Sequence, residues 1–207
     1  MNPLFLYNLW SFRKKIKLVT LSIIILLLLP IIAVILLTNV GIDIVSDKLA
    51  TFDSKTQTVQ IHDPVDNSVI KEISPVVTWP VKGVITLEFG ESNWPYQPFH
   101  TGIDIANPYG KQGDPITPFM TGKVTYAGEI FWGYGKHIII NHGNNITSVY
   151  GHLSKIYVYP GEDVKPGQVI GLEGSTGWST GPHLHFQINI FGIPVNPRTF
   201  LGDGNPI

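Results

Sequence analysis

The 207-residue sequence contains no cysteine. Without thiols the chain forms no disulfide, builds no zinc site from thiolates and has no cysteine nucleophile. Charged residues are also scarce, at 14% of the chain. The 14 Lys and Arg residues nearly balance the 15 Asp and Glu residues, which gives a formal net charge of -1. A chain without an excess of positive charge gives no electrostatic reason to expect nucleic acid as a partner. The sequence therefore excludes thiol-based chemistry and does not indicate nucleic-acid binding.

Sustained helical patterns are missing as well. Residues 43 to 74 show neither a heptad nor a repeat, and no amphipathic helix of ordinary length stands out after residue 74. Glycine and proline are frequent in this second part, which is typical of short strands joined by tight turns. Strand-like runs lie at 84 to 89, 122 to 127, 137 to 141, 146 to 150, 156 to 158, 169 to 172 and 183 to 190. The pattern predicts a mainly β, antiparallel domain.

One long apolar run occurs near the N-terminus. No charged residue appears from Leu18 to Ile42, and about 20 apolar residues are enough to span a bilayer as a helix. A buried core helix is rarely apolar all round over this length, and the apolar region of a cleaved signal peptide is only about 7 to 15 residues. A retained single-pass anchor therefore fits better than either alternative. Four basic residues precede the run, Arg13, Lys14, Lys15 and Lys17, which predicts a cytoplasmic N-terminus and an extracytoplasmic remainder.

Two histidines separated by one residue mark the last predicted strand. Because side chains alternate along a strand, His183, His185 and Gln187 share one face. His100 and Asp104 lie upstream at a spacing that converges in a helix, but Gly102 argues against a helix. A turn at this glycine would aim both side chains at one ion. Two histidines and one aspartate suit zinc and leave a fourth position for water, although spacing alone does not exclude an incidental arrangement.

Three motifs together resemble the lysostaphin and LytM family of zinc metallopeptidases. They are His100-Thr101-Gly102-Ile103-Asp104, Tyr150-Gly151-His152-Leu153-Ser154 and residues 174 to 186, which end in Pro182-His183-Leu184-His185-Phe186. The resemblance covers about residues 80 to 198. It implies a compact antiparallel β domain with a groove bounded by loops, and one zinc ion held by His100, Asp104 and His185. It further implies that His152 and His183 flank the metal as catalytic residues without being permanent ligands, with their individual roles left open.

The resemblance also implies an activity. We expect a membrane-anchored endopeptidase that cleaves peptide bonds of peptidoglycan stems or cross-bridges outside the cell membrane. The alternative is a catalytically silent or latent wall-binding scaffold that regulates another hydrolase. Silent relatives typically lack one or more ligands, whereas this chain keeps all three ligands and both flanking histidines. The expected domains are a cytoplasmic tail (1 to 17), a transmembrane anchor (18 to 42), a stalk (43 to 79) that either packs on the domain or lies across its groove, and the zinc peptidase domain (80 to 207).

The chain departs from the family pattern at two places. Gln187 stands where the family usually has glutamate, and the stretch from 109 to 116 is slightly longer than usual. Aromatic residues also gather near the motifs, at Trp94, Tyr96, Phe99, Phe131, Trp132, Tyr134 and Trp178. They are expected either to pack in the ordinary way or to form a wall of a peptide groove.

Overall fold

The computed structural model describes residues 3 to 74, 78 to 91, 98 to 202, 204 and 206. The internal contacts of the chain divide it into two units, Met1–Gly41 and Ile42–Ile207. Each unit is described by itself below.

The first unit is helical. Helix α1 extends from Pro3 to Leu49, 47 residues, and continues through Pro30. It includes a candidate membrane span of 38 residues, Phe12–Leu49, which contains the run predicted from the sequence. Within the first unit its aliphatic side chains are exposed, Leu26 to 72% and Leu37 to 74%. Apolar surface of this extent requires a bilayer or another apolar cover.

The second unit is mainly β. Its strands, in the described residues, are β1 (Ala50–Asp53), β2 (Thr58–His62), β3 (Val69–Ile73), β4 (Val84–Leu87), β5 (Ile103–Ala106), β6 (Pro115–Ile116), β7 (Gly122–Glu129), β8 (Lys136–Gly143), β9 (Ile146–Gly151), β10 (Lys155–Ile156), β11 (Asp163–Val164), β12 (Gly171–Leu172), β13 (Leu184–Ile190) and β14 (Ile193–Val195). A short helix, α2 (Arg198–Leu201), follows β14.

These strands form three sheets. The large sheet has the order β11-β7-β8-β9-β13-β5-β4, with β14 also pairing with β13. The small sheets are β1-β2-β3 and β10-β12-β6. Every pairing is antiparallel. The prediction of a mainly antiparallel β domain is therefore confirmed.

Strand β13 lies in the middle of the large sheet and divides its side chains between two faces. Leu184, Phe186, Ile188 and Ile190 are completely buried on one face. They belong to one hydrophobic core with residues of the neighbouring strands, including Tyr150 of β9. Each such side chain contributes about 1.5–3 kcal/mol by leaving water. This face holds the domain together, and the opposite face is free to carry polar groups.

The segment predicted as a stalk is folded onto the core side. Val59 and Ile61 of β2 alternate inward and join the same hydrophobic core as Phe186. The backbone amide of Asn196 donates a hydrogen bond of 3.0 Å to Ser46 Oγ near the end of α1. The segment therefore contains a three-stranded sheet, and its inward side chains join the same core as the large sheet. The predicted domain boundary at residue 80 stays a prediction.

Candidate active site

The register of β13 with its neighbours sets the position of the site. His185 lies directly opposite Asp104 of β5 on one side and opposite Gly151 of β9 on the other. A Cβ atom at Gly151 would lie 3.3 Å from Cβ of His185, so glycine leaves room for the imidazole. Cross-strand neighbours on one face lie close together, and Asp104 and His185 are therefore brought into contact by strand pairing alone.

His100 reaches the same place through a bend in the chain. The backbone bends at Thr101 and Gly102 immediately before β5, as the sequence predicts. A Cβ atom at Gly102 would lie 2.3 Å from the carbonyl oxygen of Phe186, a distance that no side chain tolerates. Glycine is required here because the bend passes against the backbone of β13. The bend places His100, which is only 1% exposed, beside Asp104.

Three donor atoms converge at this point. His100 Nε2 lies 2.9 Å from His185 Nδ1, and each nitrogen lies 3.0 Å from Asp104 Oδ1. Zinc bonds of about 2.0–2.1 Å in a tetrahedron place the ligand atoms about 3.3–3.4 Å apart. The spacing is close to that value, and two imidazoles with one carboxylate are a donor set that zinc accepts. Residues His100, Asp104 and His185 therefore fit one metal ion.

In both His100 and His185, the ring nitrogen that points away from the three donor atoms has an oxygen acceptor. His100 Nδ1 donates to the carbonyl oxygen of Glu88 at 3.1 Å. His185 Nε2 donates to Oε1 of Gln187 at 3.3 Å. An oxygen acceptor on the far nitrogen fixes the tautomer and directs the lone pair of the near nitrogen toward the metal. Both imidazoles are thus oriented for coordination.

His152 and His183 stand beside the three donors. Their ring centroids are 4.7 Å apart, and His183 Nε2 lies 3.5 Å from Asp104 Oδ2. The carbonyl of Thr176 accepts from His152 Nδ1 at 2.8 Å, and that of Gly181 accepts from His183 Nδ1 at 2.9 Å. Each ring therefore carries its proton on Nδ1 and has its lone pair on Nε2. The five residues singled out from the sequence all lie together.

The backbone at His152 is in an unusual conformation. Its φ is +61°, in the left-handed region that residues other than glycine seldom adopt. A hydrogen bond of 2.7 Å from its amide to the carbonyl of Tyr134 holds it there. Strain of this kind is found where a side chain must be placed for function.

The pKa values of Asp104 and His152 are both lowered, which keeps the carboxylate charged and the imidazole neutral. Burial by itself would raise the pKa of Asp104, but the close contacts of its carboxylate with the imidazoles of His100 and His185 outweigh burial and hold this pKa well below its usual range. Burial first, and then the neighbouring imidazoles of His183 and His185, lower the pKa of His152 to about 4. At neutral pH the site therefore combines an ionised carboxylate with a neutral imidazole.

Gln187 extends the site along the same face of β13. It is 6% exposed, and its Oε1 accepts hydrogen bonds from Thr101 Oγ1 at 2.7 Å and from Tyr134 Oη at 2.8 Å. Sequence reasoning noted the residue as a departure from the family pattern but did not find this network. The shared face of the strand was the available signal, since Gln187 follows His185 at the strand period.

The other histidines lie elsewhere. His142 bonds to the carbonyl of Thr121 and to Ser148 Oγ on the core side of the sheet. His137 stacks on Tyr126, and His62 bonds to Thr51 in the small sheet. None of these three contacts the donor cluster in the described residues.

The aromatic residues divide between the two expectations. Phe99 is buried against Phe89, which is ordinary packing. Phe131 is 90% exposed and stacks on Trp132, and Trp178 is exposed on the neighbouring loop. The amide of Trp178 donates to the carbonyl of Gly133 at 2.9 Å, so these two loops are joined next to His152. Trp94 and Tyr96 lie outside the described residues.

This fold and donor set are those expected of one family of metallopeptidases. The model of peptidase family M23 matches residues 98–197, and the chain belongs to this family. The prediction made from the lysostaphin and LytM motifs is therefore confirmed.

Relatives of two kinds match the chain. It is 47% identical over 98 residues to the DD-carboxypeptidase/endopeptidase Mpg of Neisseria meningitidis, covering 47% of this chain and 22% of that protein. It is 39% identical over 130 residues to the murein hydrolase activator NlpD of Escherichia coli, covering 62% of this chain and 32% of that protein. The chain thus spans between about a fifth and a third of the length of these two curated relatives.

A solved structure supports the fold. The catalytic domain of the antimicrobial peptidase lysostaphin from Staphylococcus simulans is 33% identical and superposes with a TM-score of 0.52. The match covers 56% of this chain and 90% of that domain.

Proposed function

We propose that this chain is a membrane-anchored zinc metallo-endopeptidase that hydrolyses peptide bonds in peptidoglycan stems or cross-bridges. The observation that carries the proposal is the convergence of His100 Nε2, Asp104 Oδ1 and His185 Nδ1 within 3.0 Å of one another. Two further imidazoles, each with Nδ1 bound to a backbone carbonyl, border this cluster. A structural metal site would need no such neighbours, whereas hydrolysis requires groups that move protons.

In this proposal His100, Asp104 and His185 hold the metal. When bound in such a site, zinc lowers the pKa of a water molecule toward neutrality and polarises the carbonyl of the substrate. The ionised Asp104 supplies the negative charge of the ligand set, because its pKa is held low by the two histidines. Glu88 and Gln187 orient the two imidazoles from behind.

His152 and His183 move protons in this proposal. Each has Nδ1 bound to a backbone carbonyl, so Nε2 is the atom that is free to exchange a proton. The low pKa of His152 keeps its ring neutral at pH 7, and a neutral imidazole is able to accept a proton from water and return it to a leaving amine. A ring that has taken up this proton on Nε2 is also able to donate a hydrogen bond to a developing oxyanion.

The proposed substrate class is supported by the relatives and by the surface beside the site. The name of the relative Mpg states DD-carboxypeptidase and endopeptidase activity, and lysostaphin is named an antimicrobial peptidase. The exposed Phe131, Trp132 and Trp178 provide apolar surface on the loops next to His152. A flexible peptide that rests on this surface would present its backbone to the proposed metal.

The location proposed is the outer side of the cell membrane. Helix α1 is long and apolar enough to span a bilayer. Basic residues at positions 13, 14, 15 and 17 precede the apolar run, and such residues remain on the cytoplasmic side. The peptidase unit would then face the cell wall, within reach of its proposed substrate.

A second candidate is a scaffold that regulates another hydrolase. The likeness to a protein named a murein hydrolase activator favours it. The intact donor set favours the enzyme. A latent enzyme covered by residues 43 to 79 is not favoured, because the inward residues of β2 join the core rather than the site face.

The two candidates predict different outcomes in one assay. The full chain in detergent is incubated with insoluble peptidoglycan, and released amino groups are measured with zinc, with a chelator and after zinc is restored. The enzyme releases peptides only when zinc is present, and His62→Ala, which removes an imidazole away from the site, leaves release unchanged. A zinc-loaded chain that releases nothing while the lysostaphin domain does would contradict the enzyme and favour the scaffold.

A further inference from the structure

The four histidines of the site are not held in the same way. His100, His152 and His183 each direct one ring nitrogen at a backbone carbonyl. His185 directs Nε2 at a side chain, Oε1 of Gln187, at 3.3 Å. A backbone carbonyl is present whatever the sequence, whereas a side-chain acceptor depends on the residue. His185 is therefore the one histidine of these four whose outer partner is set by a side chain.

The amide of Gln187 is oriented by its own neighbours. Its Nε2 donates to Asn189 Oδ1 at 2.6 Å, and Asn189 Nδ2 donates to Thr147 Oγ1 at 3.4 Å. These hydrogen bonds run along the face of β13. They orient the amide of Gln187 so that its Oε1 points to His185. A carbonyl oxygen has no proton to give. The nitrogen that it faces must therefore carry the proton.

We propose that Gln187 is a positioning residue that fixes His185 in the tautomer protonated on Nε2, so that Nδ1 is the atom offered to the metal. The same Nδ1 lies 2.9 Å from His100 Nε2 and 3.0 Å from Asp104 Oδ1. Coordination through Nε2 instead would require the ring to turn away from both. The inference rests on the metal site of the proposed function but not on peptide cleavage.

The Oε1 acceptor of Gln187 is shared with two other donors, and this sharing weakens its hydrogen bond to His185. Oε1 of Gln187 receives Thr101 Oγ1 at 2.7 Å and Tyr134 Oη at 2.8 Å as well as His185. Three donors meet an oxygen with two lone pairs, and the contact with His185 is the longest. A carboxylate at this position would offer two oxygens and a negative charge, and it would hold the Nε2 proton more strongly. Gln187 therefore gives the correct tautomer with a weaker pull on the ligand.

Zinc affinity tests this assignment without any activity measurement. The dissociation constant of the full chain in detergent is measured by competition with a chelator. Gln187→Leu removes the acceptor and is expected to weaken zinc binding about tenfold or more, whereas Gln187→Glu is expected to tighten it about tenfold. Gln112→Glu makes the same charge change at an exposed position and is expected to leave the affinity unchanged. Equal affinities in wild type, Gln187→Leu and Gln187→Glu would overturn the proposal.

A spectroscopic measurement reads the tautomer itself. Nitrogen-15 NMR of the zinc-loaded, histidine-labelled chain is expected to show His185 protonated on Nε2 and metal-bound on Nδ1. Should Gln187→Leu fail to fold, the near-isosteric Gln187→Glu still gives the affinity comparison. A wild-type His185 protonated on Nδ1 would refute the assignment. A chain that binds zinc with this tautomer but cleaves no peptide would contradict the proposed function and leave the role of Gln187 standing.

Discussion

The two faces of strand β13 carry side chains of opposite chemistry on one backbone. Phe186 and Ile188 point into the hydrophobic core and are completely buried. His185 and Gln187, their neighbours in sequence, point to the other face and take part in a network of hydrogen bonds. Because side chains alternate along the strand, the residues that stabilise the core are next in sequence to the residues that form the site.

This division has a consequence for substitutions. A change on the site face is expected to affect metal binding or turnover and to leave the core intact. A change on the core face is expected to lower the free energy of unfolding. Substitutions at adjacent positions should therefore give different kinds of damage, which is measurable.

The largest effect is expected for His185→Ala. It removes one of three donors from the cluster, so zinc binding and peptide release should both be lost. The free energy of unfolding of the metal-free chain should change little, because the core face is untouched. Metal content after dialysis, measured together with urea unfolding, checks both statements. Retention of one zinc per chain would show that His185 is not a ligand.

His183→Ala is expected to separate binding from turnover. His183 lies 3.5 Å from Asp104 but is not one of the three converging donors. Zinc binding should persist, while peptide release should fall about 10²–10⁴-fold because a proton-transfer group is gone. The same result is expected for His152→Ala. If either variant loses zinc as completely as His185→Ala does, the division of the histidines is wrong.

Phe186→Ala tests the opposite face. The side chain is completely buried and contacts the rings of Phe119 and Tyr150. Truncation of a buried phenylalanine costs about 3–5 kcal/mol of stability, which urea unfolding followed by tryptophan fluorescence would report. The molecules that stay folded should still bind zinc. Loss of zinc without loss of stability would contradict the separation of the two faces.

Glu173 gives the sharpest contrast to the well-partnered site face. It is completely buried, and in the part of the chain that the structure describes its two carboxylate oxygens are the buried side-chain atoms without a hydrogen bond of ordinary geometry. Burial first, and then the negative charge of Asp114, raise the pKa of Glu173 to about 7, although the nearby backbone amides of Asn107 and Asp114 oppose this.

The pH dependence of stability follows from that raised pKa. Between the unfolded value of 4.5 and the folded value of about 7 the folded chain binds more protons, so this group lowers stability as pH rises. Glu173→Gln should therefore raise the free energy of unfolding by about 1–3 kcal/mol more at pH 8 than at pH 5. Urea unfolding at both pH values checks it, with exposed Glu129→Gln as a control. An equal effect at both pH values would contradict the shift.

Particular residues show which parts of the fold and of the candidate site could be predicted from the sequence. The strand period put His183, His185 and Gln187 on one face, and the structure places them so. Strand β5 was missed because it has only four residues after a bend, too few for a visible alternation. Strands β1 to β3 lie in the segment interpreted as a stalk, and their individual bounds could not be predicted because four or five residues each give no clear period.

Contacts with backbone atoms of other chain segments could not be predicted from the sequence. The close approach of Gly102 to the carbonyl of Phe186 is a contact between segments far apart in the chain. The carbonyl partners of His100, His152 and His183 belong to Glu88, Thr176 and Gly181. Every residue type carries such a carbonyl, so no pattern of side chains predicts which one will serve.

The most direct test of the metal centre is the X-ray absorption spectrum of the zinc-loaded chain at the zinc edge. Two imidazole nitrogens, from His100 and His185, are expected together with oxygen ligands that include Asp104. The spectrum should be unchanged in His183→Ala and His152→Ala. Three or more imidazole ligands, or a ligand shell that changes in either of these variants, would contradict the account.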